Sequence, residues 1–194
     1  MKRDIILAGV GGQGILSIAT AIGMAALDSG LNLKQAEVHG MSQRGGDVSS
    51  NLRIADYEIA SDLIPCGQAD LIISVEPMES LRYLPMLSED GWLITNTQPF
   101  ININNYPPME SVMAEIELLK KHIALDAETI AKDLGAARSA NMVILGAATP
   151  FLAISPDKMR SAIRNIFKRK GDDIVKLNLD AFEAGYRFAT DRQN

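Results

Sequence analysis

Ile5-Ile6-Leu7-Ala8-Gly9-Val10-Gly11-Gly12-Gln13-Gly14-Ile15-Leu16 is the stretch on which the reading of this chain turns. The aliphatic run from Ile5 to Ala8 predicts a buried strand. Glycines then interrupt it, and the segment from Ile15 to Leu27, without proline and with many good helix formers, predicts a helix. Strand, tight turn and helix in that order open an α/β fold. Gly9, Gly11 and Gly14 stand in the G-x-G-x-x-G spacing, which serves a tight turn, close backbone approach to a ligand and close contact between helix and strand. Unpaired amides at the helix start, with the positive end of its dipole, suit an anion such as phosphate. The same glycines also suit an ordinary first turn in any α/β sheet, so their spacing alone names no ligand. Gln13 adds a neutral side chain that both donates and accepts.

The 194 residues are enough to bury a sizeable core, and the length favours one domain spanning 1–194. A net charge of -5 gives no general attraction to nucleic acid or to anionic membrane. No apolar run approaches the length of a bilayer span, and the charged start Met1-Lys2-Arg3-Asp4 leads into a glycine turn rather than a signal-peptide cleavage region. The expected location is cytoplasmic. One cysteine, Cys66, excludes an internal disulfide and any iron–sulfur cluster held by this chain's own thiolates. Its neighbours, Ile64-Pro65 and Gly67, read as a loop. His39 and His122 are too far apart in sequence to suggest a metal site.

Gly30 is a natural end for the first helix, and Lys34 to Val38 predicts a second strand. Glu37, near the end of that strand, is where a dinucleotide fold places an acid on the ribose, or else it is a solvated glutamate. The next nine residues are unusual: His39-Gly40-Met41-Ser42-Gln43-Arg44-Gly45-Gly46-Asp47. Gln43, Arg44, Gly45 and Gly46 form a polar loop suited to anions, and Arg44 between small neighbours can offer a bidentate guanidinium or close an internal salt bridge. His39 is either an acid–base group or a histidine tied to a nearby carbonyl.

From Val48 to Ile54 apolar and polar residues mostly alternate, a half-buried strand, and Tyr57 to Ala60 is expected to return as its antiparallel partner. Asp70 to Glu76 and Gly91 to Asn96 predict parallel strands, with Pro77 opening a helix between them. Thr97 to Pro108 is irregular, and Met109 to His122 fits helix or strand. Asp126 is expected to cap a helix ended by Gly135, and Ser155-Pro156 to open one that runs to the basic end Lys168-Arg169-Lys170. Ala140 to Leu152 is apolar nearly all round and belongs in a core or at a subunit interface. A last helix, Asp173 to Ala189, is expected to set Leu177, Ala181, Ala184 and Phe188 on one face. The fold class is thus α/β: a three-layer Rossmann-like, mostly parallel sheet with an antiparallel hairpin insertion and C-terminal helices.

Taken together, Gly9-Val10-Gly11-Gly12-Gln13-Gly14 and His39-Gly40-Met41-Ser42-Gln43-Arg44-Gly45-Gly46 resemble the small (beta) subunit of indolepyruvate:ferredoxin oxidoreductase. More broadly the chain is similar to the gamma subunit or domain of 2-oxoacid:ferredoxin oxidoreductases. The resemblance extends through Ala140-Asn141-Met142-Val143 and Leu177-Asn178-Leu179-Asp180-Ala181. It implies a subunit of a heteromeric enzyme that oxidatively decarboxylates an arylpyruvate to acyl-CoA and carbon dioxide and reduces ferredoxin. It also implies that thiamine diphosphate and the iron–sulfur clusters lie on a large alpha subunit, since this chain lacks the cysteines and has no Gly-Asp-Gly upstream of Asn104-Asn105. This chain would then be inactive alone, would shape the site and bind part of coenzyme A, and would self-associate as a homodimer when isolated. The candidate binding residues are Gly9, Gly11, Gly12, Gln13, Gly14, Gln43, Arg44, Gly45 and Gly46, and no catalytic residue is assigned. A free-standing NAD- or FAD-binding module, using Glu37, and an assembly protein built on the 140–152 segment are the competing readings.

Overall fold

A computed structural model of the chain describes residues 1–40, 45–101 and 103–192. β1 (Lys2–Val10) lies inside a six-stranded sheet, with β3 (Asp47–Ala55) antiparallel on one side and β4 (Ala69–Ser74) parallel on the other. β2 (Asn32–His39) closes one edge against β3, while β5 (Leu87–Asn96) and β6 (His122–Leu125) continue the parallel half. The order is β2-β3-β1-β4-β5-β6.

Both faces are covered, as the aliphatic strands require. Ile5 and Leu7 pack on one side with α1 (Ile15–Asp28), α4 (Ala127–Asp133), α5 (Ala140–Ala148), α6 (Pro156–Phe167) and α7 (Asp172–Asp191). Ile6, one residue between them, points the other way, toward α2 (Pro77–Arg82) and α3 (Met109–Glu117). That is the period of two expected of a strand buried on both faces.

The antiparallel insertion is present but its partners differ from expectation. Tyr57–Ala60 forms no strand; β3 pairs instead with β2 before it, from Asn32↔Ala55 to His39↔Val48. The antiparallel pair is therefore β2 with β3, and β3 is wedged between β2 and β1. Its charge is managed locally: Arg53 makes a bidentate pair with Asp4, 1% exposed, at 2.8 and 3.1 Å.

The 140–152 segment is helical only to Ala148; Thr149–Phe151 is a 3-10 turn containing Pro150. It is a core element rather than an outer interface. α5 lies so close to α7 that a Cβ on Gly146 would fall 2.0 Å from the Phe182 carbonyl oxygen, and one on Gly185 1.9 Å from that of Val143. Only glycine permits this approach. The buried face of α7 is accordingly Asn178, Ala181, Phe182, Gly185 and Ala189, turned from the face the sequence suggested; Leu177, Ala184 and Phe188 are only partly buried. No helix among the described residues is long and apolar enough to cross a membrane.

Candidate functional site

The chain leaves β1 by α1 toward β2 on one flank, and leaves β4 by α2 toward β5 on the other flank and the other face. The C-terminal ends of β1 and β4 thus frame the switch point where open α/β sheets bind ligands. A cleft of about 940 Å³ opens there. It is lined by the glycine turn at Gly12–Gly14, by Val75 and Asn96 at the ends of β4 and β5, and by the starts of α4, α5 and α7.

The glycine turn is shaped from within. Gly14 takes φ 83°, a left-handed conformation suited to glycine, and starts α1 without a side-chain cap. Gln13 folds back: its Oε1 accepts from the Val10 amide at 2.8 Å and its Nε2 donates to the Val75 carbonyl at 3.3 Å. Its amide therefore orders the turn and ties it to β4. Gly11 donates to the Gly46 carbonyl at 2.9 Å, so the two glycine-rich segments meet although strand β2 and helix α1 separate them in sequence. Gly9 is packed against Val75, where a Cβ would fall 2.4 Å from Val75 Cγ2. Gly45 and Gly46 are described; Gln43 and Arg44, with Met41 and Ser42, lie outside the described residues.

Sequence reasoning missed the other wall. Asn96, 3% exposed, donates to the Val75 carbonyl at 3.4 Å and to the Gln98 carbonyl at 3.3 Å, and its Oδ1 accepts from the Ala127 amide at 3.1 Å, joining β4, β5 and α4. Asn141, in the first turn of α5, donates to the Gly14 carbonyl at 3.1 Å. That bond sets the start of α5 beside the start of α1, so two positive helix ends face one cleft. Arg138, Ser139 and Lys170 line it too, and so does Glu128. Lys170, read from sequence as part of a basic helix end, stands over the Phe167 ring at 5.4 Å. The sequence signals for this wall were the Ala140-Asn141-Met142-Val143 and Leu177-Asn178 stretches quoted for the resemblance; Arg138 and Lys170 were not singled out as binding residues.

On the opposite face, Glu76 caps α2 and is 0% exposed. Its carboxylate accepts from the Glu79 amide at 2.8 Å, from the Phe100 amide at 3.3 Å and from the Tyr106 hydroxyl, which pins Phe100 and Tyr106 to the end of β4. Burial, together with the Glu76 carboxylate that it bonds, pushes the Tyr106 phenol up from its ordinary range. Burial also raises the Glu79 carboxyl, against the bond from Arg82 at 2.7 Å.

Glu37 is poorly placed for a ribose. In a dinucleotide fold the strand bearing that acid adjoins β1, whereas here β3 intervenes, roughly doubling the ~4.8 Å strand spacing. Glu37 instead pairs with His39. Among the described residues no three His, Cys, Asp or Glu side chains gather as a metal site would need, and Cys66 is exposed with its thiol on the Pro85 carbonyl.

The family model described as pyruvate ferredoxin/flavodoxin oxidoreductase matches residues 4–188. The indolepyruvate oxidoreductase subunit IorB of Methanothermobacter thermautotrophicus is 37% identical over 98% of this chain and 100% of its own length. Among solved structures, a keto/oxoacid ferredoxin oxidoreductase gamma subunit from Geobacter sulfurreducens superposes with a TM-score of 0.71 at 25% identity, over 97% of this chain and 99% of the other. The 2-oxoglutarate:ferredoxin oxidoreductase of Magnetococcus marinus, with 2-oxoglutarate, coenzyme A and succinyl-CoA bound, gives 0.78 at 21% identity; the match covers 98% of this chain but 31% of that longer one.

Proposed function

The chain belongs to the pyruvate ferredoxin/flavodoxin oxidoreductase family, and from that premise we propose that it is the small subunit of an oxidoreductase acting on indolepyruvate or a related arylpyruvate with ferredoxin as acceptor. The overall conversion joins the acyl group to the coenzyme A thiol, releases carbon dioxide and passes the electron pair to ferredoxin. The 37% identity to the indolepyruvate subunit, against 30% to a 2-oxoglutarate synthase subunit of similar length, supports this branch.

The residues of this chain do not suit the redox groups of such an enzyme. A cluster needs several thiolates and the chain has one cysteine, exposed. Nothing in the sequence matches the diphosphate motif of a thiamine site. Thiamine diphosphate and the iron–sulfur clusters belong to a larger partner subunit in this proposal, and the isolated chain, folded as one domain, is inactive and self-associates as a homodimer in the cytoplasm.

What this chain supplies is the cleft. The observation that carries the reading is the convergence of the α1 and α5 starts, tied by Asn141 to Gly14, on a cleft at the sheet's switch point. A cleft with two positive helix ends and two cationic side chains, Arg138 and Lys170, suits the phosphates of coenzyme A. Gly12, Gln13 and Gly14 form its floor in this reading, with Gly9 and Gly11 shaping the turn behind them, and Gln43, Arg44, Gly45 and Gly46 are assigned to the same ligand.

Anaerobic affinity purification of the tagged chain from its native cell tests the proposal. The expected result is a brown complex with a cysteine-rich larger subunit, reducing ferredoxin only when given arylpyruvate and coenzyme A. A colourless chain recovered alone with NAD or FAD would overturn it.

A further inference from the structure

Thr97 to Pro108 contains no Asp, Glu, Lys or Arg, in a chain of which 22% is charged, and it turns large apolar side chains to solvent: Phe100 and Ile103 are 41% exposed and Ile101 is 70% exposed. Apolar residues exposed singly need no explanation, but a group of them in an uncharged stretch marks an interaction surface. The fold holds them there. Glu76, wholly buried, accepts from the Phe100 amide before Ile101 and Ile103 and from the Tyr106 hydroxyl after them. Upstream, the Thr97 amide donates to the Leu125 carbonyl at 3.1 Å and Gln98 Nε2 to the Asp126 carboxylate at 2.7 Å. With these anchors in place, less ordering entropy is left to lose on association.

The stretch starts at the cleft. Asn96, which ends β5, lines the cleft, and so do Ala127 and Glu128, the residues after Asp126. On the β1 side Gly14 and Ser17 line it, and Leu16 in the same turn of α1 is 50% exposed. Exposed apolar side chains thus stand beside the cleft at both its β1 and its β5 ends.

We propose that Phe100, Ile101 and Ile103, with Leu16, form the surface on which the larger subunit docks, so that the subunit carrying thiamine diphosphate covers the mouth of the cleft. The identity of that subunit rests on the proposed function. An uncharged, apolar stretch with aromatic members has the composition of an interface core. Chemistry selects this occupant over a second copy of the chain. A coenzyme A thiol held in the cleft must reach an acyl group that this chain has no residues to generate, so the cover must bring it; a second copy carries the same single cysteine and generates none.

Anaerobic affinity purification of the tagged chain, parent and variants, from cells making the whole enzyme tests the docking surface, with the iron and larger subunit recovered per tagged chain as the readout. Ile101→Asp places a charge in the interface and is expected to retain less than about a tenth of what the parent retains. Leu118→Asp, at the end of α3 before β6 begins and so at the sheet edge away from the cleft, changes a side chain 76% exposed and is expected to retain as much as the parent. The full chain carrying Ile101→Asp is expected to melt with the parent. A readout without any variant is hydrogen exchange: the Ile101 and Ile103 amides are expected to exchange at least about tenfold more slowly in the assembled enzyme than in the free chain. Full retention by Ile101→Asp, or unchanged exchange at both amides, overturns the docking surface and leaves the proposed function standing. A parent that brings down no cluster-bearing subunit overturns both. Ile101→Asp that abolishes self-association of the isolated chain yet retains the larger subunit identifies a second copy as the occupant and overturns the docking assignment.

Discussion

The backbone amide of Gly11 donates to the carbonyl of Gly46 at 2.9 Å, which ties the glycine turn after β1 to the backbone that leads into β3. Arg44 precedes Gly46 by two residues in the sequence, and the proposed function assigns it to coenzyme A. Arg44→Ala in the assembled enzyme is expected to raise the KM for coenzyme A about tenfold, as loss of a charge-assisted hydrogen bond does, with the melting temperature unchanged. Steady-state kinetics at varied coenzyme A checks this; an unchanged KM removes Arg44 from the site.

Gly14 and Asn141 are expected to be energetically coupled. Gly14→Ala meets a left-handed backbone, costing about 1–2 kcal/mol, and puts a Cβ 2.4 Å from Asn141 Nδ2. Asn141→Ala loses the bond to the Gly14 carbonyl, about 1 kcal/mol. In the double variant the crowding disappears, so the total loss is expected to fall short of the sum. Urea denaturation of the three variants measures the difference, and strict additivity contradicts the contact.

Gly146→Ala is expected to be among the most damaging single-methyl changes in the protein. The added Cβ would lie 2.0 Å from the Phe182 carbonyl oxygen, which belongs to backbone and cannot swing aside as a side chain does. Separating α5 from α7 to make room is expected to cost at least about 3 kcal/mol, the upper end for overpacking. Gly135→Ala, which has nothing within 4 Å, gains no such crowding, only the strain of its positive φ. Chemical denaturation comparing the two tests whether helix approach, rather than glycine as such, sets the cost.

Asp126 gives a pH-dependent contribution. Burial opposes its charge, but hydrogen bonds from the Thr129 amide and hydroxyl and from Gln98 outweigh that and hold its carboxyl below the ordinary value of 3.8. A depressed folded-state value means the unfolded chain binds the proton more readily, so this stabilisation is complete above the ordinary value and is lost as pH falls toward the lower one. Asp126→Ala is expected to cost about 1 kcal/mol at neutral pH. The gap should shrink below pH 3.8; thermal melts across the acid range would show it, and a pH-independent gap would refute the capping account.

The opening strand, turn and helix were legible because each is a local matter: aliphatic run, glycine spacing and helix formers lie within a dozen residues. The same holds for the Asp126 and Ser155 caps, where side chain and amide are neighbours. The β3 strand was legible as a strand, yet its partner was assigned to the wrong side. Alternation reports that one face is buried and says nothing of which edge is paired.

What the sequence determined by itself was the α/β class, the parallel core strands, the glycine turn and the family, since these depend on short-range propensity and on motifs whose members are adjacent. Only the tertiary structure decided that β3 separates β1 from β2, which moves Glu37 away from the turn, and that α5 lies in the core against α7. It alone brought Arg138, Ser139, Asn141 and Lys170 to the glycine turn, across 127 residues in the case of Asn141 and Gly14. The physical reason is that a cleft at a switch point is assembled from the ends of elements. Those ends meet only after the sheet order and the close helix packing have been chosen by burial of the whole core.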